Sequence, residues 1–276
     1  MSVFVQQNCS ICDFPEGSDS WVILSPIEQS IKRKIEAVGT PLKDWDINIY
    51  RGVLTGYNDA FIISTDKRNE ILANCLSEDE RKRTDELIRP ILRGRDIKRY
   101  GYEWAKLWLI NTHNGVKGRI PRIRIEDYPA VKAHLDKYWD KIKDRADQGD
   151  TPYNLRNCAY LEDFLKPKII YREIGFEMDA CIIPEGWYIN NKLYFITGDD
   201  IEYLLAYLNS KAFNKVILAS ANLTGGKGVD FMEKVFAPAD YELKRRILSS
   251  MEERERDEIF NGFFGFTDEE TAFLSC

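Results

Sequence analysis

The segment GVLTGYNDAF (residues 52–61) carries two glycines, a threonine and an asparagine in a short span that runs directly into apolar residues. A connection between two strands normally needs one turn-forming residue rather than several small and polar ones. Upstream, residues 45–50 alternate between apolar and polar side chains, which predicts a half-buried strand that ends at Arg51. Downstream, residues 60–63 predict a second strand. We therefore expect a glycine-containing loop between two strands, with Arg51 at its entrance.

Composition narrows the class of protein. The chain has 276 residues, of which 44% are apolar and 12% aromatic, so it can bury a sizeable core in one large domain or two modest ones. No apolar run approaches the roughly 20 residues that span a bilayer. Residues 1–14 also do not have the basic and apolar regions of a signal peptide. Six cysteines without regular spacing are typical of reduced thiols, so we expect a cytoplasmic protein with no membrane partner.

The charges are unevenly distributed along the chain. A net charge of −6 argues by itself against a nucleic-acid partner. Between Arg89 and Arg124, however, there are ten lysines and arginines against two acids, whereas ten acids face five bases between Asp240 and Glu270. Because local potential attracts phosphate, an acidic protein can still present one basic face. The alternative is a solvated charged surface without a partner.

Capping signals and hydrophobic spacing predict both helices and strands. Ser25, Pro26 and Glu28 form a helix start, and Gly39 ends that helix. Further helices are predicted at 66–76, 77–88, 129–146, from 201 to 208 and at 240–260, with short strands at 106–111, 166–174, 180–184, 186–190 and 192–197. The pattern is typical of an α+β protein with short mixed or antiparallel sheets and peripheral helices.

Several catalytic motifs do not occur in the sequence. A methyltransferase needs a glycine-rich cofactor turn after a first strand, and an adenine-specific one also needs an Asn/Asp-Pro-Pro-aromatic tetrapeptide, yet the sequence has no Pro-Pro. GGKG (225–228) is not a P-loop because glycine follows its lysine. Cys9 and Cys12 are spaced like a pair of zinc ligands, but the sequence has no second pair to complete the four ligands that a structural zinc ion needs. The sequence has only two histidines, His113 and His134, and neither belongs to a pattern typical of a histidine-based catalytic triad. We therefore do not expect this chain by itself to be catalytic.

Several segments in a fixed order carry a resemblance to a known family. They are RGVLTGYNDAFII (51–63), IRPILRGRDIKRY (88–100), LWLI (107–110), YLEDFLKPKIIYREI (160–174), IEYLLAYLNSKAF (201–213), KVFAPADYELKRRI (234–247) and DEIFNGFFGFTDEE (257–270). Together they resemble the TaqI-like C-terminal specificity domain, the target-recognition domain of adenine-specific DNA methyltransferases and of fused restriction–modification enzymes. The last segment is an aromatic-rich variant of the family's closing run. The resemblance extends from Trp21 onward.

This resemblance implies a target-recognition-domain-like fold. It also implies that a separate domain carries out catalysis. It places an N-terminal extension or linker at 1–20, the DNA target-recognition domain at 21–238 and a C-terminal helical segment at 239–276. Such a module reads a short sequence in double-stranded DNA and positions a methyltransferase domain, which binds S-adenosylmethionine and flips the target adenine. We expect that domain to precede this one in the same polypeptide. The chain would then be a C-terminal fragment without a cofactor of its own, and Met1 an artificial start.

Candidate DNA contacts lie in five parts of the chain, the last two with one candidate each. They are Arg51, Thr55, Gly56 and Asn58; Arg93, Arg95, Lys98 and Arg99; Lys117, Arg119, Arg122 and Arg124; and Arg172 with Lys227. For the first group the alternative is a hairpin that satisfies its own polar groups. In the second group, Asp96 could pair with one arginine as a structural clamp. In the third, Arg122 and Arg124 are predicted on one face of a strand beside a polar loop, which suits entry into a DNA groove.

Two other functions remain open from the sequence. A metal-dependent nuclease could use acids such as Glu173, Glu177 and Asp179, although their spacing is common by chance. A docking module of a phage-defence complex could use the acidic C-terminal helix. The large aromatic side chains are expected in the core rather than as base-stacking platforms, namely Trp104, Trp108, Trp139, Tyr203 and Tyr207.

Overall fold

The computed structural model describes residues 24–172, 177–218 and 234–276. In chain order the helices are α1 (Pro26–Val38), α2 (Asn58–Phe61), α3 (Thr65–Ala73), α4 (Glu78–Leu87), α5 (Pro129–Asp136), α6 (Trp139–Ile142), α7 (Ile201–Leu208), α8 (Tyr241–Ser249), α9 (Glu253–Phe264) and α10 (Asp268–Ser275). The strands are β1 (Thr40–Pro41), β2 (Ile47–Arg51), β3 (Ile62–Ser64), β4 (Ile88–Leu92), β5 (Ile97–Lys98), β6 (Gly101–Tyr102), β7 (Leu107–Ile110), β8 (Lys168–Arg172), β9 (Cys181–Ile183), β10 (Tyr188–Ile189), β11 (Leu193–Gly198) and β12 (Phe236–Ala237).

These elements form two compact units. The helical unit takes its described residues from Met1–Ile49, Glu173–Ala180 and Gly198–Cys276, and the sheet unit is Tyr50–Arg172 with Cys181–Thr197. The division follows packing within the chain, and the domain boundaries after residues 20 and 238 stay predictions. None of the helices within 24–172, 177–218 and 234–276 has the length and apolar character that crossing a bilayer requires.

The sheet unit contains most of two short four-stranded sheets. One has the order β10–β4–β7–β3, in which β10 is parallel to β4 and the other pairs are antiparallel. The other has the order β2–β11–β8–β9, with antiparallel pairing of β8 to both β11 and β9. Fully buried side chains such as Phe61, Ile91, Leu109, Phe164 and Phe195 fill the core. This arrangement confirms the expected α+β class with short mixed sheets.

The helical unit begins with the helix that the sequence predicts most clearly. At the start of α1, Ser25 Oγ accepts from the Glu28 amide, and the Glu28 carboxylate accepts from the Ser25 amide at 2.7 Å. This capping box satisfies amide groups that have no partner within the helix. Ile31 and Ile35 are fully buried, as their spacing predicts. In the sheet unit, Ser77 caps α4 by accepting from the Glu80 amide at 3.1 Å.

Residues 52–61, here called the opening segment, do not form a hairpin between two paired strands. β2 and β3 belong to different sheets, and residues 58–61 form the single helical turn α2, so the second strand begins at Ile62 rather than at residue 60. Because β3 pairs with β7, its position depends on residues far along the chain. Local alternation of side chains could therefore predict the strand but not its partner.

Two predicted helices are each divided. Residues 129–146 form α5 and α6, and Trp139, at the start of α6, is 41% exposed rather than part of the core. Residues 240–260 form α8 and α9, separated at Ser250, whose backbone is extended. Ser250 Oγ bonds Glu255 at 2.6 Å and its carbonyl accepts from Arg256. Such local side-chain bonds give the backbone an alternative to a continuous helix.

Candidate nucleic-acid interface

Gly52 shows what the beginning of the opening segment touches. The Gly52 amide donates to Leu193 O at 2.9 Å, and the Val53 amide donates to Ile189 O at 2.8 Å. A Cβ at position 52 would lie 2.5 Å from Ile189 O and closer still to Asn190 O. The chain therefore needs glycine here for a close backbone approach to the end of β10.

The candidate contacts of this segment are largely occupied within the protein. Thr55 is 3% exposed, and its hydroxyl donates to Asn58 Oδ1 at 2.6 Å. Gly56 has a φ of +69°, and a Cβ there would lie 2.8 Å from Arg145 Cδ. Arg51 Nε donates to Asn191 O at 2.8 Å. The Thr55–Asn58 bond agrees with the part of the alternative in which Asn58 satisfies a polar group of its own segment, although the segment is not a hairpin. DNA contact by these residues stays a prediction.

Arg145 is a buried structural residue that the sequence does not distinguish from its charged neighbours. Only 6% of it is exposed, and its guanidinium lies 4.6 Å from the centre of the Phe61 ring. It donates to the carbonyl oxygens of Pro152 and Asn154. Burial lowers the pKa of Arg145 to about 10, because the charged form loses hydration. Arg145 thus ties the opening segment to residues 152–154.

The second basic segment contains the clamp that the sequence predicts. Arg93 Nη2 lies 2.8 Å from Asp96 Oδ1, and the Arg93 amide donates to Asp96 Oδ2 at 2.8 Å. Arg172, a candidate base reader, donates to Gly94 O at 2.9 Å and to Ile97 O at 2.7 Å. Arg93 and Arg172 therefore fix the 3-10 turn Gly94–Asp96 from both sides, and base reading by Arg172 stays a prediction.

Two of the other cations of this segment, Arg95 and Lys98, are exposed, and Arg99 is half-buried. Arg95 is exposed and has no ion-pair partner within the described ranges. Lys98 lies 3.7 Å from Glu103, with 55% of its side chain exposed. The Arg99 guanidinium lies 5.7 Å from the centre of the Tyr100 ring. The turn and the residues after it thus present the positive charges of Arg95 and Lys98 to solvent.

The third basic segment forms a closed loop, here called the basic loop (residues 114–122). The Val116 amide donates to Ile120 O at 2.8 Å, and the Ile120 amide donates back to Val116 O at 2.9 Å. Gly115 permits this closure, since its φ is +70° and a Cβ there would lie 2.7 Å from the Arg122 amide nitrogen. The loop lines an open groove of about 810 Å³ together with Asp150 and residues 157–159.

The cations of the basic loop differ in their partners. Arg119 Nη1 lies 2.5 Å from Glu162 Oε2, and Arg122 Nη1 lies 3.2 Å from Asp150 Oδ2. Lys117 is exposed and has no ion-pair partner in the part of the chain that the structure describes. The structure therefore brings these three predicted cations together along one groove.

The predicted strand bearing Arg122 and Arg124 is wrong. Residues 121–124 have no regular structure and lead into the 3-10 turn Ile125–Asp127. Pro121 removes a backbone donor at this point, which disfavours strand pairing. Arg124 is exposed but does not line the groove.

Asn154 anchors the chain on both sides of the basic loop, and sequence reasoning does not find it. It is 1% exposed, and its Nδ2 donates to Ile123 O at 2.9 Å. The neighbouring Leu155 amide donates to Thr112 O at 2.9 Å, and Thr112 Oγ1 donates to Tyr153 O at 2.7 Å. An amide that follows Pro152 and Tyr153 resembles an ordinary turn residue, so only the fold reveals its role.

The remaining candidates divide between the core and undescribed parts of the chain. Tyr203 and Tyr207 are fully buried, as expected, while Trp104 and Trp108 are half-buried. His134 is also buried, with Nε2 3.0 Å from Ala60 O. Other candidates lie outside the described residues, namely Lys227, Glu173, Cys9 and Cys12.

Metal chemistry gains no support from the described residues. Within 24–172, 177–218 and 234–276, no group of three or more histidine, cysteine, aspartate or glutamate side chains could hold a metal ion. The nuclease alternative and the docking alternative also find no support in the comparisons with known proteins.

Comparisons with known proteins identify relatives. The type II methyltransferase M.MjaIV of Methanocaldococcus jannaschii is 28% identical over 200 residues, which cover 68% of this chain and 62% of that protein. The solved structure of the type IIL restriction–modification enzyme MmeI in complex with DNA has a similar fold, with a TM-score of 0.54 and 11% identity over 85% of this chain and 35% of that one. The type IIG restriction endonuclease BpuSI gives a TM-score of 0.49 and 14% identity over 85% of this chain and 27% of that one.

The chain thus spans 62% of the length of the methyltransferase and smaller shares of the two restriction enzymes. A family model matches residues 89–227, which is half of the chain and includes both the 3-10 turn and the basic loop. This chain belongs to the TaqI-like C-terminal specificity domain family.

Proposed function

We propose that this chain recognises a specific sequence in double-stranded DNA for a bacterial restriction–modification enzyme. Family membership supports the specificity role. The observation that carries the proposal is the groove beside the basic loop, where Lys117, Arg119 and Arg122 converge on an anchored scaffold. Lysine and arginine bind DNA phosphates, and arginine can also donate two hydrogen bonds to guanine in the major groove.

The other basic segment adds a second positive surface. Arg95 on the 3-10 turn and Lys98 just after it are exposed, and Arg93 and Arg172 hold that turn in place. In this proposal the outward cations contact phosphates and set the orientation of the domain on the duplex. Thr55 and Arg172 act as supports, since their polar groups are already bonded within the protein.

The catalytic step is proposed to reside elsewhere in the wider enzyme. We infer a parent adenine-specific DNA methyltransferase that acts in the cytoplasm and has its catalytic domain earlier in the same polypeptide. S-adenosylmethionine would bind that domain. The glycine turn after β2 does not fit this cofactor, because the carbonyl groups of Ile189 and Asn190 close the space beside Gly52. No residue of this chain is assigned a catalytic role.

The proposal is tested by fluorescence anisotropy with a labelled pool of random duplexes. Binding should be weak and should fall by at least tenfold between about 50 mM and about 200 mM salt, because phosphate contacts release counterions. Lys117→Ala should weaken binding and reduce the salt slope by about one, the value for a single lost phosphate contact. Lys141→Ala is the matched control, since Lys141 is an exposed lysine that does not line the groove. A folded sample that binds no duplex at either salt concentration would refute the proposal.

A further inference from the structure

We infer that Asp150 and Glu162 are specificity-determining residues that steer two arginines of the basic loop away from phosphate and toward base edges. The inference rests on the proposed DNA-binding function and concerns the same groove. It starts from a difference among the cations: Arg119 and Arg122 each face a carboxylate, whereas Lys117 has no ion-pair partner in the described ranges.

Glu162 holds one end of the Arg119 guanidinium. Arg119 Nη1 lies 2.5 Å from Glu162 Oε2, while Arg119 Nη2 donates to Ala159 O at 3.2 Å. The backbone bond can persist when Nη1 changes partner. Arg119 is therefore positioned at the groove before any ligand arrives.

Asp150 holds two groups that line the groove. Its Oδ2 lies 3.2 Å from Arg122 Nη1, and its Oδ1 accepts from Asn114 Nδ2 at 2.9 Å. The Asp150 amide donates back to Asn114 Oδ1 at 2.9 Å. Asn114 Nδ2 also bonds Asn157 Oδ1. Arginine and asparagine are the side chains that most often read guanine and adenine, respectively.

These pairs are exposed enough to exchange. The side chains of Arg119 and Glu162 are 56% and 47% exposed, and those of Arg122 and Asp150 are 39% and 61% exposed. An ion pair in water contributes little stability, so a nucleic-acid group can replace the carboxylate as the partner of the arginine. The displaced carboxylate nevertheless remains beside the groove.

The charge of that carboxylate discriminates between two DNA partners. A phosphate is an anion and is repelled by the nearby carboxylate, which offsets part of its attraction to the arginine. Guanine O6 and N7 are uncharged acceptors and suffer far less repulsion. Asp150 and Glu162 therefore weaken non-specific phosphate binding more than base recognition, which raises specificity by penalising the wrong partner.

The test compares charge-neutralised variants of the whole chain. Glu162→Gln and Asp150→Asn should each tighten binding to random duplexes by about two- to tenfold, the range expected for loss of an exposed ion pair plus phosphate repulsion. Both variants should also show a smaller preference, relative to random duplexes, for a duplex that the wild type selects from a random pool. Asp140→Asn is the control, because Asp140 forms a comparable exposed pair with Lys143 at 2.8 Å and does not line the groove. It should change binding by less than about twofold.

A double-mutant comparison distinguishes two causes of tighter binding: replacement of Glu162 by phosphate as the partner of Arg119, and the general effect of removing one negative charge. If Glu162 competes with phosphate for Arg119, then Glu162→Gln should have no more effect than Asp140→Asn once Arg119→Ala is present. An equal effect of Glu162→Gln with and without Arg119 would overturn the inference, as would equal effects of Glu162→Gln and Asp140→Asn in the wild-type background. Failure of the wild-type chain to bind any duplex would instead refute the proposed function, and circular dichroism of each variant verifies that it is folded.

Discussion

Gly52 occupies the position where the chain leaves β2 and passes against the backbone at Ile189 and Asn190. Because the obstructing atoms are backbone carbonyl oxygens, they cannot rotate away as a flexible side chain could. We expect Gly52→Ala to lower the free energy of unfolding by about 2 to 4 kcal/mol through overpacking. Urea denaturation measures this loss.

Gly262→Ala provides the matched control for that measurement. Gly262 lies in α9, and a Cβ there has open space. Alanine favours a helix relative to glycine, so this variant should be as stable as the wild type or more stable. A stability loss in Gly262→Ala equal to that in Gly52→Ala would contradict the close-approach explanation.

Asn154 should determine how rigidly the basic loop is held. Asn154→Ala removes the donor to Ile123 O and leaves a partly buried acceptor without this partner, which we expect to cost about 1 kcal/mol. Hydrogen exchange at residues 112–123 should accelerate. Asn69→Ala, at an exposed position in α3, should leave that exchange unchanged. Unaltered exchange in Asn154→Ala would show that the loop is anchored in another way.

For single residues, the sequence shows which side chains are charged or polar, but it predicts less well which atoms they contact. It predicts that Asp96 can pair with one arginine of its segment, and the structure shows that this arginine is Arg93. It cannot show that Thr55 is buried or that Arg145 reaches Pro152 and Asn154, because those partners depend on how distant segments pack. Charged residues on a loop look alike in sequence whether they face solvent or their own backbone.

Among the helices, α10 is fixed to α1 through Glu270. Its carboxylate accepts from the Thr267 amide at 2.7 Å, from Ser30 Oγ at 2.7 Å and from Lys34 Nζ at 2.6 Å. Burial by itself raises the pKa of Glu270, but these hydrogen bonds outweigh it and hold the pKa at about 2.

This pKa gives a prediction for acid stability. The folded pKa lies below the unfolded value of 4.5, so the unfolded state binds more protons between those values. The stabilisation is complete above about pH 4.5 and is lost as the pH falls toward 2. We expect Glu270→Gln to remove about 2 to 3 kcal/mol at neutral pH and to flatten the acid limb of the stability curve. Glu269→Gln, at the neighbouring exposed position, should do neither.

Local signals account for most elements but not for their arrangement. The helix at Pro26–Val38 and the strands β7, β8 and β11 follow from capping and hydrophobic spacing. The break between α5 and α6 and the pairing of β3 with β7 do not, because they depend on partners distant in sequence. Glu80 illustrates the same limit: its amide donates locally to Ser77 at the start of its helix, yet its carboxylate accepts from the distant Ala130 amide at 2.9 Å.

For the molecule as a whole, the positions of the charged residues matter more for DNA binding than the net charge does. The net charge is −6, yet Arg95, Lys117 and Arg124 are exposed cations without ion-pair partners in the described residues. The sequence predicts this basic stretch by its composition. The groove itself requires the closed loop and the segment around Asp150, which meet only in the folded chain.

Selection from a random duplex pool measures whether the chain reads a DNA sequence. Bound duplexes are recovered over several rounds at moderate salt and sequenced, with Arg119→Ala and Arg122→Ala as variants of the groove. We expect one enriched motif for the wild type and a loss of preference at particular motif positions for each arginine variant. A folded wild-type chain that retains duplexes with no enriched motif, or retains none, would refute sequence-specific recognition.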